Sequence, residues 1–547
     1  FSARIARIWR EGILQSRIRR NPYPAIMHLF IFWGMAALFI GTLIDTIEID
    51  IAMKLFSTKL LTGTPYLIFK LILDVMGFLL IIGVLMAAYR RYVSKPEGIK
   101  ENSGGFGPMH LLLFLIALLG FFVEGLEQAA LSPPWGVWAP VGYTIAQLIR
   151  TFGLTQSQIA SIYPSFWFAH STLAMIGIAV VPYTKFYHVL IGPLNMLMYP
   201  ASRPMGSLKF IPGIEEAEKI GVENVAEFTW RQRLSFDACI ECGRCQDACP
   251  AYNSQKPLSP KLLVMKLRDE MYMGEPRRLF DEIVNPIELW SCTSCGACIN
   301  ECPMLINHVD TIFDLRRFLV LTEGRVPETA RITLENLGRR HNPYGLPRKE
   351  RAKWLADMDV PIVSEDEEYE VLYWIGCASG YDKRLSKIAQ SMIKILKAAN
   401  VKFAVLGRKE VCCGDAARRL GEEFVFEALA KRTISTLEKY KFKRLLVHCP
   451  HGYNTFRNEY PKLGAKFKVV HHSQFILELI ATGRLKVKAT SGKVTFHDPC
   501  YLGRYNKIYD EPRRVLEVSG LKLVEMGRNR ERSVCCGGGG GNSWYEV

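Results

Sequence analysis

Cys239, Cys242, Cys245 and Cys249 stand in the run CIECGRCQDACP, and Cys292, Cys295, Cys298 and Cys302 repeat it in CTSCGACINECP. Both runs read C-x2-C-x2-C-x3-C-P. Nothing else in the chain restricts its folding as much, because thiols at these intervals converge on metal rather than pack as a core. Cysteines two residues apart reach different irons of one cubane, and the fourth cysteine of each run crosses to the other cluster. This assigns Cys239, Cys242, Cys245 and Cys302 to one 4Fe-4S cluster, and Cys249, Cys292, Cys295 and Cys298 to a second. Zinc also takes four cysteines, but two complete runs closing on Cys-Pro favour cubanes. All fifteen cysteines lie after residue 238 in tight groups. That distribution favours cluster ligation in a reducing compartment over disulfides.

The spacing resembles that of two-cluster bacterial ferredoxins, which implies an α-helical ferredoxin-like domain over 231–345. The 42 residues between Cys249 and Cys292 are expected to add helices that cover the clusters. The first two hundred residues are different in kind. Four apolar runs, AIMHLFIFWGMAALFIGTLI, YLIFKLILDVMGFLLIIGVLMAAY, MHLLLFLIALLGFFVEGL and FWFAHSTLAMIGIAVVPYTKFYHVL, are each long enough for a ~30 Å hydrocarbon layer. VWAPVGYTIAQLI is too short and broken to span, and reads as interfacial. Arg90, Arg91, Lys95 and Lys100, the exit with Lys185, Arg203 and Lys209, and the Arg-rich arm before residue 24 are basic, whereas the loop with Asp45, Glu48 and Asp50 is not. Both ends of a four-span domain over 1–200 are therefore expected on the cytoplasmic side. The net charge of +16 fits anionic lipid beside these spans rather than nucleic acid. The first residues show neither a start methionine nor a signal-peptide cleavage site.

His28, His110, His170 and His188 fall in or beside these runs. A histidine at membrane depth needs a partner, and haem iron is a common one. By depth, His28 and His188 pair near the inner face to hold a haem b. His170 and His188 are expected on one face of the fourth helix, ~27 Å apart, five turns at 3.6 residues per turn. The partner of His170 stays open, so one haem or two is expected; His110, at a helix start, reads as interfacial. The pattern, with HLFIFWG, resembles the cytochrome b subunit of respiratory nitrate reductases and the related subunit of heterodisulfide reductase.

A linker with Pro204 and Pro212 leads into IEEAEKIGVENVAEFTW, which reads as an amphipathic helix within 201–230. From residue 369 short β runs (YEVLYWIGC, RLLVHC, GKVTFHDPC) alternate with helical ones (RLSKIAQSMIKILKAA, FVFEALAKRTISTLEKYK), an α/β pattern. Cys377, Cys412 and Cys413 recur 123 residues later as Cys500, Cys535 and Cys536, which implies two similar lobes, 369–485 and 490–547. The first lobe adds Cys449; its counterpart is expected near position 572, so the second lobe reads as incomplete at its C-terminus. Each lobe resembles the CCG domain of heterodisulfide reductase, with Gly452 standing where that pattern has a fifth cysteine. The resemblance implies noncubane iron–sulfur clusters. Cys377, Cys412, Cys413 and Cys449 form a variant or relic site, and Cys500, Cys535 and Cys536 are the expected reactive centre. Glycines after the Cys-Cys pairs suit close backbone approach and an anion-binding nest. They are no phosphate loop, since no Lys-Ser/Thr follows. His448, His497 and Asp498 either tune a cluster or merely shape turns.

The fusion of these parts, joined by ENVAEFTWRQRLSFDACIECGRCQDACPAY, is similar to the membrane-bound electron-transfer-flavoprotein:menaquinone oxidoreductase family of heterodisulfide-reductase-like iron–sulfur proteins. This implies a multi-domain membrane enzyme that takes electrons from reduced electron-transfer flavoprotein and passes them through clusters and haem b to menaquinone. The chain shows no flavin site of its own. The alternative is the reverse flow, menaquinol reducing a disulfide; an inert anchor is argued against by two intact ferredoxin runs. Glu124, Glu127, Tyr163 and Trp167 are candidates for a quinone or proton site, though aromatic belts account for the rings equally well.

Overall fold

The structure, a computed structural model, describes residues 2–101, 104–200 and 203–546. It separates into two compact units: Phe1–Tyr199 with Asp237–Gly243, and Pro200–Phe236 with Arg244–Val547.

The first unit is built on long helices: α1 (Pro22–Thr46), α2 (Thr64–Ala88), α3 (Phe106–Leu131), α4 (Pro140–Thr151), α5 (Gln156–Ala179) and α6 (His188–Met198). Three segments, Pro22–Phe56, Thr64–Ser94 and Phe106–Leu131, are long and apolar enough to cross a membrane. Their outward side chains fit that solvent: Phe39, Leu85 and Leu111 are more than half exposed. Between helices, small residues permit backbone approach, a packing mode common in membrane bundles. A Cβ on Gly34 would stand 2.8 Å from Leu80 Cβ, and one on Gly83 2.9 Å from Ile31 Cγ1, so α1 and α2 meet through glycines on both sides. α4 is held at its N-terminus, where the buried Asp74 of α2 accepts from Val141 N (3.0 Å) and Gly142 N (3.0 Å). A carboxylate there satisfies orphan amides and suits the helix dipole.

The fourth apolar run is not one helix. α5 is long but less apolar than the other three; it ends at Ala179, and two 3-10 turns, Val181–Tyr183 and Lys185–Tyr187, precede α6. Pro182 lacks an N–H and its ring collides with the preceding turn, which stops the helix. The expectation that His170 and His188 share one face of a continuous helix is therefore corrected: they sit on different helices.

The second unit begins with 214–230, where the expected amphipathic helix is absent apart from turns at Ile214–Glu216 and Val225–Glu227. Its backbone bonds elsewhere: Val222 N donates to Asp314 O (3.1 Å), and Glu223 O accepts from Leu279 N (2.9 Å). Gly221, at φ +99, lies so close to Phe318 that a Cβ would stand 2.2 Å from its backbone nitrogen. The insertion between the cysteine runs contributes α7 (Pro260–Glu270), capped by Ser259, whose Oγ accepts from Leu262 N. α8 (His308–Arg317) is buried along its whole length, and α9 (Glu328–Arg340) follows.

Beyond it, β1 (Glu368–Trp374), α10 (Lys383–Ala398), β2 (Phe403–Val405), α11 (Glu423–Leu437), β3 (Lys441–Val447), β4 (Val469–His471) and α12 (His472–Ala481) form the first α/β lobe. Its sheet is parallel, in the order β2-β1-β3-β4. Val371, Tyr373, Ile393, Leu396, Leu446 and Phe475 pack its core on one side. A parallel sheet covered by helices requires such apolar strands. The second lobe repeats the start of this pattern with β5 (Lys493–Val494), α13 (Asp510–Val518) and β6 (Lys522–Leu523), β5 and β6 again parallel. Val494 stands 123 residues after Val371.

Candidate redox site

The two cysteine runs share a backbone conformation. Glu241 (φ +54) and Gly243 (φ +77) of the first correspond to Ser294 (φ +47) and Gly296 (φ +69) of the second. Successive turns of this kind aim N–H groups inward, as an anionic cluster requires. Ser294 N donates to Cys292 Sγ (3.3 Å) and Ile306 N to Cys302 Sγ (3.4 Å). Cys239 and Cys242 belong to the loop grouped with the helical unit, and the other cysteines to the second unit. There Cys249 lies within electrostatic range of Cys292, Cys295 and Cys298, the four thiols expected to share a cluster. Cys245 packs with Cys298, Leu208 and Phe313.

The donor chemistry fits iron. Burial pushes the Cys249 and Cys449 thiols up to about 12, so their thiolates need compensating positive charge. Among the described residues no three Cys, His, Asp or Glu side chains converge as a single metal ion would require. A cubane places its thiolates on separate irons, which spreads them further apart.

Both α/β lobes gather their cysteines. In the first, Cys377 and Cys413 hydrogen-bond to Cys412, and Cys449 interacts with Cys377 and Cys413. Gly452, in place of a fifth cysteine, offers its backbone N–H to Cys449 instead. In the second, Cys535 contacts Cys500 and Cys536, and also Cys295 of the ferredoxin run. The glycine after each Cys-Cys pair is left-handed, Gly414 at φ +82 and Gly537 at φ +90. Each sends its N–H to the first sulfur of the pair, at 3.5 Å for Cys412 and 3.4 Å for Cys535. The later glycines serve packing: a Cβ on Gly539 would stand 2.5 Å from Thr293 O, and one on Gly540 2.2 Å from Cys292 O. The glycine run is thus pressed onto the second cysteine run.

His451 and Asp415 were not singled out by sequence. His451 Nδ1 bonds Asp415 Oδ2 at 2.7 Å, and its ring stacks on Tyr501 at 3.9 Å. Burial opposes charge on Asp415, yet His451 and Arg419 hold its carboxyl down to about 2. A histidine two residues after Cys449 was the available signal, but its partner is distant in sequence. His448 spends both ring nitrogens on Tyr373 and Ser379, His497 bonds Val534 O, and Asp498 receives a two-pronged bond from Arg513. His448 and Asp498 are thus held within the fold, and His497 lies within electrostatic range of Cys536.

In the helical unit, His28 Nδ1 bonds Gln15 Oε1 (3.0 Å), His170 Nδ1 bonds Ile116 O (3.0 Å) and His188 Nδ1 bonds Lys185 O (2.6 Å). Each acceptor fixes the proton on Nδ1, which leaves the Nε2 lone pair for a metal. His28 and His188 lie close enough to interact electrostatically. His170 packs against Gly120 of α3, where a Cβ would stand 3.1 Å from its Cε1. His110 meets the edge of Tyr92. Glu124 and Gln128 crowd Gly142 at the start of α4, Tyr163 packs beside Leu126, and Trp167 stays half exposed. Glu127 lies within electrostatic range of Tyr163. Lys185 does double duty: its carbonyl orients His188, and its Nζ pairs with the fully buried Glu241 at 2.5 Å, between Cys239 and Cys242.

Residues 371–457 and 494–547 match a family model described as a cysteine-rich domain, and 231–303 match a 4Fe-4S dicluster domain. The chain is 36% identical to EtfAB:quinone oxidoreductase of Syntrophomonas wolfei, over 99% of this chain and 81% of that protein. It is 34% identical to the probable iron-sulfur-binding oxidoreductase FadF of Bacillus subtilis, over 100% of this chain and 84% of that protein. A component of the dihydromethanophenazine:CoB–CoM heterodisulfide reductase of Methanosarcina barkeri is 34% identical over 57% of this chain and 80% of its own length. No solved structure matches.

Proposed function

The chain belongs to the EtfAB:quinone oxidoreductase family of iron–sulfur oxidoreductases, and from that premise we propose that it passes electrons from a reduced electron-transfer flavoprotein, an α/β-subunit partner, to menaquinone in the cytoplasmic membrane. Clusters and haem b supply the one-electron carriers between a two-electron donor and a two-electron acceptor. Cys239, Cys242, Cys245 and Cys302 hold one 4Fe-4S cluster, and Cys249, Cys292, Cys295 and Cys298 the other. Cys500, Cys535 and Cys536 hold the reactive, noncubane-type centre, and Cys377, Cys412, Cys413 and Cys449 a variant one. His28 and His188 would hold haem b, and His170 would offer a further ligand. On the basic-loop pattern, the iron–sulfur side of the multi-pass helices faces the cytoplasm.

The observation that carries this reading is Lys185. One residue orients a candidate haem ligand and anchors the loop of the first cysteine run, so both belong to one compact unit. A reduced-minus-oxidised spectrum tests it. A b-type signal that disappears in both His28→Ala and His188→Ala, with the iron–sulfur resonances intact, is expected; a wild-type chain with no b-type signal removes the membrane route.

The likeness to the heterodisulfide reductase component favours a second reading, in which menaquinol reduces a disulfide at Cys500, Cys535 and Cys536. Thiol production from a supplied disulfide, with no oxidation of reduced flavoprotein, would select it.

A further inference from the structure

Arg316 and Arg504 are buried cations of an unusual kind. Arg316 is fully buried and donates to Leu289 O (2.7 and 3.1 Å), Trp290 O (3.3 Å), Cys292 O (2.8 Å), Arg419 O (2.7 Å), Gly540 O (2.7 Å) and the Tyr545 hydroxyl (3.3 Å). Arg504, also buried, donates to Cys295 O (2.8 Å), Glu531 O (3.1 Å) and Ser533 O (2.6 Å). Every acceptor is neutral. Among the described residues neither guanidinium pairs with a carboxylate, although the neighbouring Arg317, Arg418 and Arg419 all do.

An ionised side chain this deep is strongly disfavoured unless opposite charge compensates it. Carbonyl dipoles satisfy the N–H groups but leave the net charge. The Trp290 and Phe313 rings each face Arg316 at 5.0 Å, and each arginine grips the backbone of a cluster cysteine, Arg316 that of Cys292 and Arg504 that of Cys295.

We propose that Arg316 and Arg504 are the built-in counter-ions of the cluster held by Cys249, Cys292, Cys295 and Cys298, and that they raise its reduction potential. The inference rests on the cluster assignment above. A cubane with four thiolates is an anion that gains one further negative charge when it takes one electron, with no bond made or broken. A fixed buried cation therefore favours the reduced level, since net charge and hydrogen bonding set such potentials. Both arginines are positioning residues, for they reach the cysteines through backbone carbonyls and charge alone.

The test is a redox titration of the full chain, followed by electron paramagnetic resonance, on wild type, Arg316→Met, Arg316→Lys and Arg504→Gln. Arg316→Met and Arg504→Gln are each expected to lower the midpoint of one 4Fe-4S signal at unchanged iron content. A tenfold weaker preference for the reduced level corresponds to ~59 mV for one electron. Arg316→Lys keeps the charge and loses the carbonyl grip, so it should melt earlier yet titrate close to wild type. If Arg316→Met does not assemble, Arg504→Gln and Arg316→Lys decide. Loaded Met or Gln variants with unchanged midpoints, or a Lys variant shifted down tenfold or more, would overturn the proposal. A wild-type chain without 4Fe-4S resonances would instead sink the cluster assignment, and the counter-ion role with it.

Discussion

At the scale of single residues, histidines buried without a charge partner in the second unit set an acid limit. Burial pushes His308 and His472 down to about 4, and among the described residues the Nδ1 of each has no hydrogen-bond partner. In the unfolded chain both titrate near ~6.5. A depressed folded value means that the stabilisation is fully present above ~6.5 and is lost as pH falls through about 4, on the order of 3 kcal/mol for each site. Calorimetric melting across that window should show a steep decline that His308→Phe makes shallower; an unchanged slope in the variant contradicts the assignment. Glycine at the clusters has a separate role. Gly296 is left-handed, and a Cβ there would stand 2.5 Å from Tyr505 Cε1. Gly296→Ala combines about 1–2 kcal/mol of backbone strain with that clash, and should lower the iron content of the purified chain.

At the scale of elements, α8 is locked to the first α/β lobe by buried ion pairs. Arg317 bonds Glu423 at 2.7 Å and Asp314 at 2.9 Å; Arg418 pairs with Glu423 and reaches Glu459 at 3.2 Å. Glu423→Ala leaves two buried guanidinium groups short of a partner and should destabilise the chain by about 3–5 kcal/mol, read as a lowered melting temperature; a loss under about 1 kcal/mol would contradict this account. Elements whose structure is set by local pattern were legible in the sequence. The β1 and β3 runs and helices α10 and α11 lie where alternating or amphipathic patterning placed them, and the 123-residue period recurs as two parallel strand pairs. The failures were tertiary. The 214–230 segment has helical composition, but its backbone bonds to Asp314 and Leu279, which no local pattern reveals. Pro182 was visible, yet the surrounding apolar run suggested a continuous helix. Arg316 was invisible as a site residue, because its acceptors are carbonyls from several distant segments.

At the scale of the whole molecule, the proposed function is a relay whose donor and acceptor come from outside the chain. Lys185→Gln should keep a b-type spectrum, because the backbone carbonyl to His188 remains, while the lost pair with Glu241 loosens the cysteine loop. Slower haem reduction by pre-reduced clusters in stopped flow is the expected result, and a wild-type rate would remove Lys185 from the relay. The most direct test of the central claim mixes the purified full chain, without oxygen, with reduced electron-transfer flavoprotein and a menaquinone analogue, and follows flavin, haem and quinone absorbance together. The account predicts flavin oxidation matched by quinone reduction, with the haem reduced in passing; reduced flavin that stays reduced, in a chain whose clusters are demonstrably present, would contradict it.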